Sequence, residues 1–259
     1  MTESPPVSCM CLTYGRPQVL EEAVESFLRQ DYQGIKELIV LNDLSDQVLQ
    51  CDRPEVKVIN VDKRFRTVGE KRNACAALAS HDLLFVWDDD DIFLPHRLSF
   101  SVSKLDVNKG FFKPSKALTL NNGIIGGPTA NLFHSGSCFT RALFDAAHGY
   151  AHIGSGQDLD IERSFERIIG SGKNYNGIKP AEIYYLYRWS GTGSYHLSGF
   201  GRDKDGAESG NQKVERYVRA QIDNKKIATG AISLEPNWKM DYSALVKLYL
   251  EMTTPAGSV

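Results

Sequence analysis

The sequence predicts an α/β fold in which a mostly parallel central sheet is flanked by helices, with a small helical extension at the C-terminal end. Two observations carry this expectation. Short runs dense in Val, Leu, Ile, Phe and Cys alternate with segments whose apolar residues recur at helical spacing, the signature of strand–helix–strand units. The runs end in polar clusters, at Thr13-Tyr14, at Asn42-Asp43 and at Asp88-Asp89-Asp90-Asp91. In a parallel sheet those ends share one edge, where open α/β sheets bind ligands.

The elements follow in order. Val7 to Thr13 reads as a first buried strand. Tyr14-Gly15-Arg16-Pro17 breaks it, and Pro17 suits the first turn of a helix, where its missing N–H is no loss. Val19, Leu20, Ala23, Val24, Phe27 and Leu28 then share one helical face. Glu37 to Leu41 and Val56 to Val61 read as a second and third strand, and a basic loop, Lys63-Arg64-Phe65-Arg66, leads to a helix over Gly69 to Ser80. Leu83 to Trp87 is a fourth strand, with Trp87 as a packing residue, and Pro95 opens a further helix. The pattern is then less regular. Leu118 to Pro128 is rich in Asn and Gly and reads as loop, and Phe133 to Thr140 as a strand crossing the sheet edge. Asp158 to Ile169 is helical in pattern, and Ile183 to Tyr187 is a short aromatic strand. Ser190 to Gly210, rich in Gly, Ser and charge, reads as a loop over a site. Gln212 to Asp223 and Tyr242 to Met252 close the chain as helices.

Composition excludes several classes. With 259 residues, 42% of them apolar, the chain can bury a sizeable core. A net charge of −2 gives no bulk electrostatic case for nucleic acid or an anionic membrane. Met1-Thr2-Glu3-Ser4-Pro5-Pro6 lacks the features of a signal peptide, and no apolar stretch approaches a membrane span. The five cysteines (Cys9, Cys11, Cys51, Cys75, Cys138) are an odd number without a CxxC pair. They read as small core residues, and free thiols fit a reducing, cytoplasmic location.

Four successive carboxylates at the mouth of a buried strand repel one another, and a cation relieves them. Asp88 and Asp90 are expected on one side of the chain, and Asp89 and Asp91 on the other, by strand alternation. Lys71 and Arg72 follow Gly69 in the first turns of the next helix, where cations and free N–H groups suit phosphate oxygens. An acidic cluster beside a basic helix start is what a Mn2+ or Mg2+ diphosphate complex needs. The plainer alternatives are a solvated acidic turn and a solvated helix face.

Four motifs in order resemble glycosyltransferase family 2, which has the GT-A, Rossmann-like fold. They are Val7-Ser8-Cys9-Met10-Cys11-Leu12-Thr13-Tyr14-Gly15-Arg16-Pro17, Leu38-Ile39-Val40-Leu41-Asn42-Asp43-Leu44-Ser45-Asp46, Val68-Gly69-Glu70-Lys71-Arg72-Asn73-Ala74-Cys75, and Phe85-Val86-Trp87-Asp88-Asp89-Asp90-Asp91, the DxD motif. Gly156-Gln157-Asp158-Leu159-Asp160 resembles the Glu-Asp motif of the same family.

The resemblance implies a metal-dependent, inverting glycosyltransferase that moves a sugar from a nucleotide-diphosphate donor, a UDP-sugar by family frequency, to an acceptor hydroxyl. Thr13 and Tyr14 would contact the nucleotide, with Arg16 beside them, and Asp43 would bind the nucleobase. Arg72 and Lys71 would face the diphosphate. Asp88 would meet the ribose or the metal, Asp89 the donor, and Asp90 the metal. Asp158 would be the general base, with Asp160 and Glu162 as competitors. His196 occupies the place of a late metal ligand, and Trp189 and Tyr195 are candidates for stacking on a sugar. Asn42-Asp43-Leu44-Ser45 replaces the usual Asp-Asp-Gly-Ser, and Gln157 replaces the usual Glu. One catalytic domain over 1–259 is expected, with a donor half at about 7–110, an acceptor half at about 111–210 and closing helices at about 211–259. The acceptor stays open among a glycan, a lipid-linked sugar, a protein and a modified nucleobase. A sugar-nucleotide pyrophosphorylase and a non-catalytic sugar-binding module are the alternative readings.

Overall fold

The computed structural model describes residues 4–170, 175–189, 195–196 and 210–253. The expected loop over 190–210 therefore lies outside the described residues, apart from Tyr195, His196 and Gly210.

The first half alternates as the apolar runs dictate. Strand β1 (Val7–Thr13) leads to helix α1 (Pro17–Leu28), which starts at Pro17 and buries Val19, Leu20, Ala23, Val24 and Phe27. Strands β2 (Lys36–Asn42), β3 (Gln47–Gln50) and β4 (Val56–Asn60) follow. Helix α2 (Val68–Leu78) is capped by Thr67, whose hydroxyl accepts the Glu70 N–H at 3.1 Å. The Glu70 carboxylate reaches back to the Arg66 N–H at 3.0 Å, so two N-terminal donors are satisfied. Then come β5 (Leu83–Val86), β6 (Ile92–Phe93), α3 (Arg97–Lys104) and β7 (Phe111–Phe112).

In the second half, β8 (Lys116–Asn121) and β9 (Ile124–Ala130) form an antiparallel hairpin where the composition suggests a loop. The reason is the turn. Asn122 and Gly123 both take positive φ, 50° and 80°, as a two-residue hairpin turn requires. The Asn and Gly content marks that turn, and Leu118 and Leu120 carry the buried side of the strand. Residues expected as one strand over 133–140 divide into a single helical turn (His134–Gly136) and β10 (Cys138–Thr140). β10 lies inside the sheet, between β5 and β7, and does not cross its edge. Helices α4 (Arg141–Ala146) and α5 (Gln157–Ile169), strand β11 (Tyr185–Arg188), helix α6 (Gly210–Asp223), strand β12 (Gly230–Ser233) and helix α7 (Tyr242–Thr253) complete the described chain.

The central sheet has the order β4-β2-β1-β5-β10-β7. β4, β2, β1 and β5 are mutually parallel, and β10 is antiparallel to both its neighbours. A second sheet, β6-β11-β8-β9, packs beside it, and β12 pairs with β3. The strand order turns at β1 and β5, so a crevice opens beyond their carboxyl ends. One core layer contains Leu20, Val24, Phe27, Phe85 and Trp87, and the other Ile39, Leu84, Phe139 and Phe165. Trp87 is fully buried, with Nε1 donating to the Ala23 carbonyl at 3.0 Å. The five cysteines are free thiols, Cys51 half-buried and the others buried. Among the described residues, no helix is long and apolar enough to cross a membrane.

Candidate active site

A cleft of about 460 Å³ opens at the carboxyl edge of β1 and β5. Thr13, Tyr14, Arg16, Asp43, Lys71, Arg72, Asp88, Asp89, Asp90, Asp158, Tyr195 and His196 all line it. Of the residues expected from sequence, Trp189 stands apart from the lining. It is half exposed and stacks on His196, with ring centroids 4.8 Å apart and planes 9° from parallel.

The four aspartates have four environments. β5 ends at Val86, so strand alternation does not sort them. The expected split between Asp88 with Asp90 and Asp89 with Asp91 is corrected: Asp89 and Asp90 share one cation, Arg16. Arg16 Nε lies 3.1 Å from Asp89 Oδ2, its Nη2 bonds the other oxygen, and its Nη1 lies 2.6 Å from Asp90 Oδ2. Asp88 instead accepts Arg72 Nη2 at 3.1 Å, and its N–H donates to the Ser135 hydroxyl at 3.3 Å. Asp91 is buried structural scaffolding, accepting the Tyr185 hydroxyl at 2.8 Å and the Arg188 N–H at 3.1 Å. Burial pushes the Asp89 carboxyl up to about 6 against the pull of Arg16, and burial with two neighbouring carboxylates pushes Asp91 well above its ordinary value. A buttress holds the corner from below. Arg188 Nε donates to the Asp90 carbonyl at 2.6 Å, and its guanidinium pairs with buried Glu22 on α1.

The cations of α2 diverge. Lys71 Nζ donates to the Thr13 carbonyl at 2.6 Å and pairs with Asp43. Asp43 also accepts the Phe65 N–H at 3.1 Å, so both its oxygens have partners. Burial lowers the Lys71 ammonium, and Asp43 opposes that shift. Arg72 faces Asp88. Asn42, which departs from the usual Asp, uses its amide to donate to the Gln47 carbonyl and to Asn60 Oδ1, both at 3.0 Å. A carboxylate there has no donor for either acceptor.

Tyr14 lies under the Arg64 guanidinium, 4.0 Å from its ring centroid. Its carbonyl accepts the Tyr195 hydroxyl. The Tyr195 carbonyl accepts Arg16 Nη1 at 2.5 Å, so Arg16 ties the 195–196 pair to the acidic corner.

On α5 the three acids separate. Asp158 lies in the first turn and lines the cleft, its Oδ1 accepting the Leu159 N–H at 2.9 Å. Asp160 is exposed. Glu162 is buried and bound by Lys113 Nζ at 2.8 and 3.0 Å and by His134 Nδ1 at 2.8 Å. Only Asp158 of the three borders the cleft.

Sequence reasoning missed several lining residues. Arg64 belongs to the basic loop it noticed but left without a role, and Tyr187 to the aromatic strand. His134 and its partner Tyr150 carry no motif, and no sequence signal marks them.

The carboxylates Asp88 and Asp90 at the corner are oxygen ligands of the kind a hard divalent cation takes. His196 Nδ1 lies 3.4 Å from Asp90 Oδ2, and its buried Nε2 has no hydrogen-bond partner among the described residues. Among the described residues, no three His, Cys, Asp or Glu side chains are gathered into a metal cage.

Residues 8–115 match the family described as Glycosyl transferase family 2. That stretch, less than half of the chain, is similar to a glycosyltransferase family 2 domain. The chain resembles the uncharacterized glycosyltransferase YwdF of Bacillus subtilis, at 33% identity over 105 residues, 39% of this chain and 38% of that protein. It also resembles the putative colanic acid biosynthesis glycosyl transferase WcaA of Escherichia coli, at 27% identity over 152 residues, 56% and 54% of the two chains. The chain thus spans about half or less of the length of these relatives. Among solved structures, S. aureus TarS 1-349 in complex with UDP-GlcNAc superposes with a TM-score of 0.58 at 15% identity, over 85% of this chain and 67% of that one. Mannosyltransferase PcManGT from Pyrobaculum calidifontis, in complex with GDP-Man and Mn2+, gives 0.54 at 15% identity, over 71% and 57%. The chain therefore has the GT-A fold.

Proposed function

We infer that this chain is a glycosyltransferase that moves a sugar from a nucleotide-diphosphate donor to an acceptor hydroxyl, with inversion and with a divalent metal, Mn2+ or Mg2+. One observation carries the reading: the Asp88–Asp90 pair, the Arg72 cation and the α5 acid Asp158 border one cleft, while the rival acids Asp160 and Glu162 do not. The ligands named for TarS and PcManGT, UDP-GlcNAc and GDP-Man with Mn2+, support a nucleotide-sugar donor.

In this reading Tyr14 and Asp43 hold the nucleotide, and Thr13 meets it partly through its backbone. Lys71 acts through Asp43, whose carboxylate it pairs with and holds in place. Arg72 binds diphosphate oxygens and neutralises charge as the leaving group departs. Asp88 and Asp90, with His196 beside them, would hold the metal together with substrate phosphates, and it would supply Lewis-acid stabilisation of the leaving diphosphate. Asp158 takes the proton from the acceptor hydroxyl, whose oxygen attacks the anomeric carbon from the face opposite the diphosphate. Trp189 and Tyr195 offer aromatic faces to sugars, and a UDP-sugar is the favoured donor.

The test is a nucleotide-sugar panel with manganese, read by thermal shift and then by release of the nucleoside diphosphate. The reading expects one donor to stabilise the protein by several degrees and to be turned over. Stabilisation by no nucleotide sugar contradicts it, and release of pyrophosphate from a nucleoside triphosphate would turn the reading to a pyrophosphorylase.

A further inference from the structure

Four buried side chains outside the reacting groups form one chain of contacts between α5 and α2. Lys113, Glu162, His134 and Tyr150 are exposed by 2, 1, 4 and 1%. Lys113 Nζ bonds both oxygens of Glu162, and Glu162 Oε1 meets His134 Nδ1 at 2.8 Å. His134 Nε2 meets the Tyr150 hydroxyl at 2.8 Å. The His134 ring thus bridges the Glu162 carboxylate and the Tyr150 hydroxyl. The Tyr150 ring then lies against the Arg72 guanidinium, 5.6 Å from centroid to carbon.

The main chain reinforces this contact. Tyr150 N–H donates to Asn73 Oδ1 and Asn73 Nδ2 donates to the Tyr150 carbonyl, both at 2.8 Å. Gly149 permits the approach, with φ of 70°, where a Cβ would lie 2.8 Å from Asn73 Oδ1. Tyr150 is therefore fixed from both ends beside Arg72. Glu162, on the other side of His134, lies one helical turn beyond Asp158 on α5.

We propose that His134 and Tyr150 are positioning residues that hold the Arg72 cation and the helix carrying Asp158 in one frame. The role rests on the function inferred above, in which Arg72 meets the donor diphosphate. Arg72 bonds Asp88 through Nη2, while its buried Nε has no hydrogen-bond partner among the described residues. With so few hydrogen bonds, the guanidinium depends on the ring beneath it for its orientation.

A double-mutant cycle tests this, with magnesium pyrophosphate as the probe and calorimetry as the readout. Tyr150→Leu removes the ring, and Tyr150→Phe removes only the hydroxyl and keeps the packing. Each is made with Arg72 present and in the Arg72→Lys background. The expected result is a loss of pyrophosphate affinity of about fivefold for Tyr150→Leu and about twofold for Tyr150→Phe when Arg72 is present, and little further loss in Arg72→Lys. Should Tyr150→Leu fail to fold, the Tyr150→Phe arm decides alone. Equal losses in both backgrounds overturn the positioning role and make Tyr150 a packing residue. If pyrophosphate does not bind the unaltered protein, the function reading falls and the positioning role with it.

Discussion

Arg16 places Nη1 2.6 Å from Oδ2 of Asp90, so the second carboxylate of the Asp88–Asp90 pair is held by a residue seventy-four positions away in sequence. The same guanidinium holds Asp89. Arg16→Met leaves two buried carboxylates without their cation, and breaking a buried pair costs about 3–5 kcal/mol. Urea unfolding is expected to show a loss of that size. Added Mn2+ is expected to raise the melting temperature of Arg16→Met more than that of the parent. An unchanged unfolding free energy would show that the pair is not formed in solution.

The two α2 cations should differ in what they support. Lys71 is bound to Asp43 and Thr13, and Arg72 to Asp88. Arg72→Ala is expected to weaken pyrophosphate binding by about tenfold, the loss of a charge-assisted contact. Lys71→Met is expected to weaken nucleoside diphosphate more than pyrophosphate, because it releases Asp43. Competition assays with both ligands separate the variants, and a matching loss for both would mean that Lys71 faces the diphosphate.

These cations show what the sequence could and could not reveal. β1, β2, β4 and β5 were legible because a buried parallel strand needs a continuous apolar run. The placement of Asp88 and Asp90 at the cleft followed from strand ends sharing an edge, and that of Asp158, on a helix, came only from the family resemblance. The partner of Lys71 was not legible, since two helix-start cations look alike until the fold sets their neighbours. Glu162 competes with Asp158 for the role of base in the sequence, yet Lys113 and His134 from distant elements bind it where it is buried. The β8–β9 hairpin was hidden because Asn122-Gly123 signals turn more strongly than Lys116–Asn121 signals strand.

Acid should destabilise the fold through Glu162. Burial alone raises its carboxyl, but His134 and Lys113 hold it down at about 2, against an ordinary value of 4.5. A folded value below the unfolded one gives stability that is present above pH 4.5 and lost as the pH falls toward 2. At 1.36 kcal/mol per unit the contribution is about 3 kcal/mol. Unfolding free energies at pH 6 and pH 3 are expected to differ by less in Glu162→Gln than in the parent. An identical pH slope would exclude the assignment.

Gly69 allows the start of α2 to meet the chain that leads to α5. A Cβ there would lie 1.9 Å from the Ala151 carbonyl oxygen. Gly69→Ala must therefore separate α2 from residues 151–153, at a cost of about 1–3 kcal/mol as overpacking. Reduced thermal stability together with weaker pyrophosphate binding is the expected outcome. A variant with parental stability would show that this junction is loose.

The most direct measurement compares donor binding and sugar transfer in Asp158→Asn. Asparagine keeps the size of the side chain and removes its capacity as a base. With a donor identified by thermal shift, calorimetry is expected to return an affinity within about twofold of the parent, while transfer falls by about 10²–10⁴-fold. Transfer at the parental rate, or a loss of donor affinity as large as the loss of transfer, would contradict the assignment of Asp158 as the base.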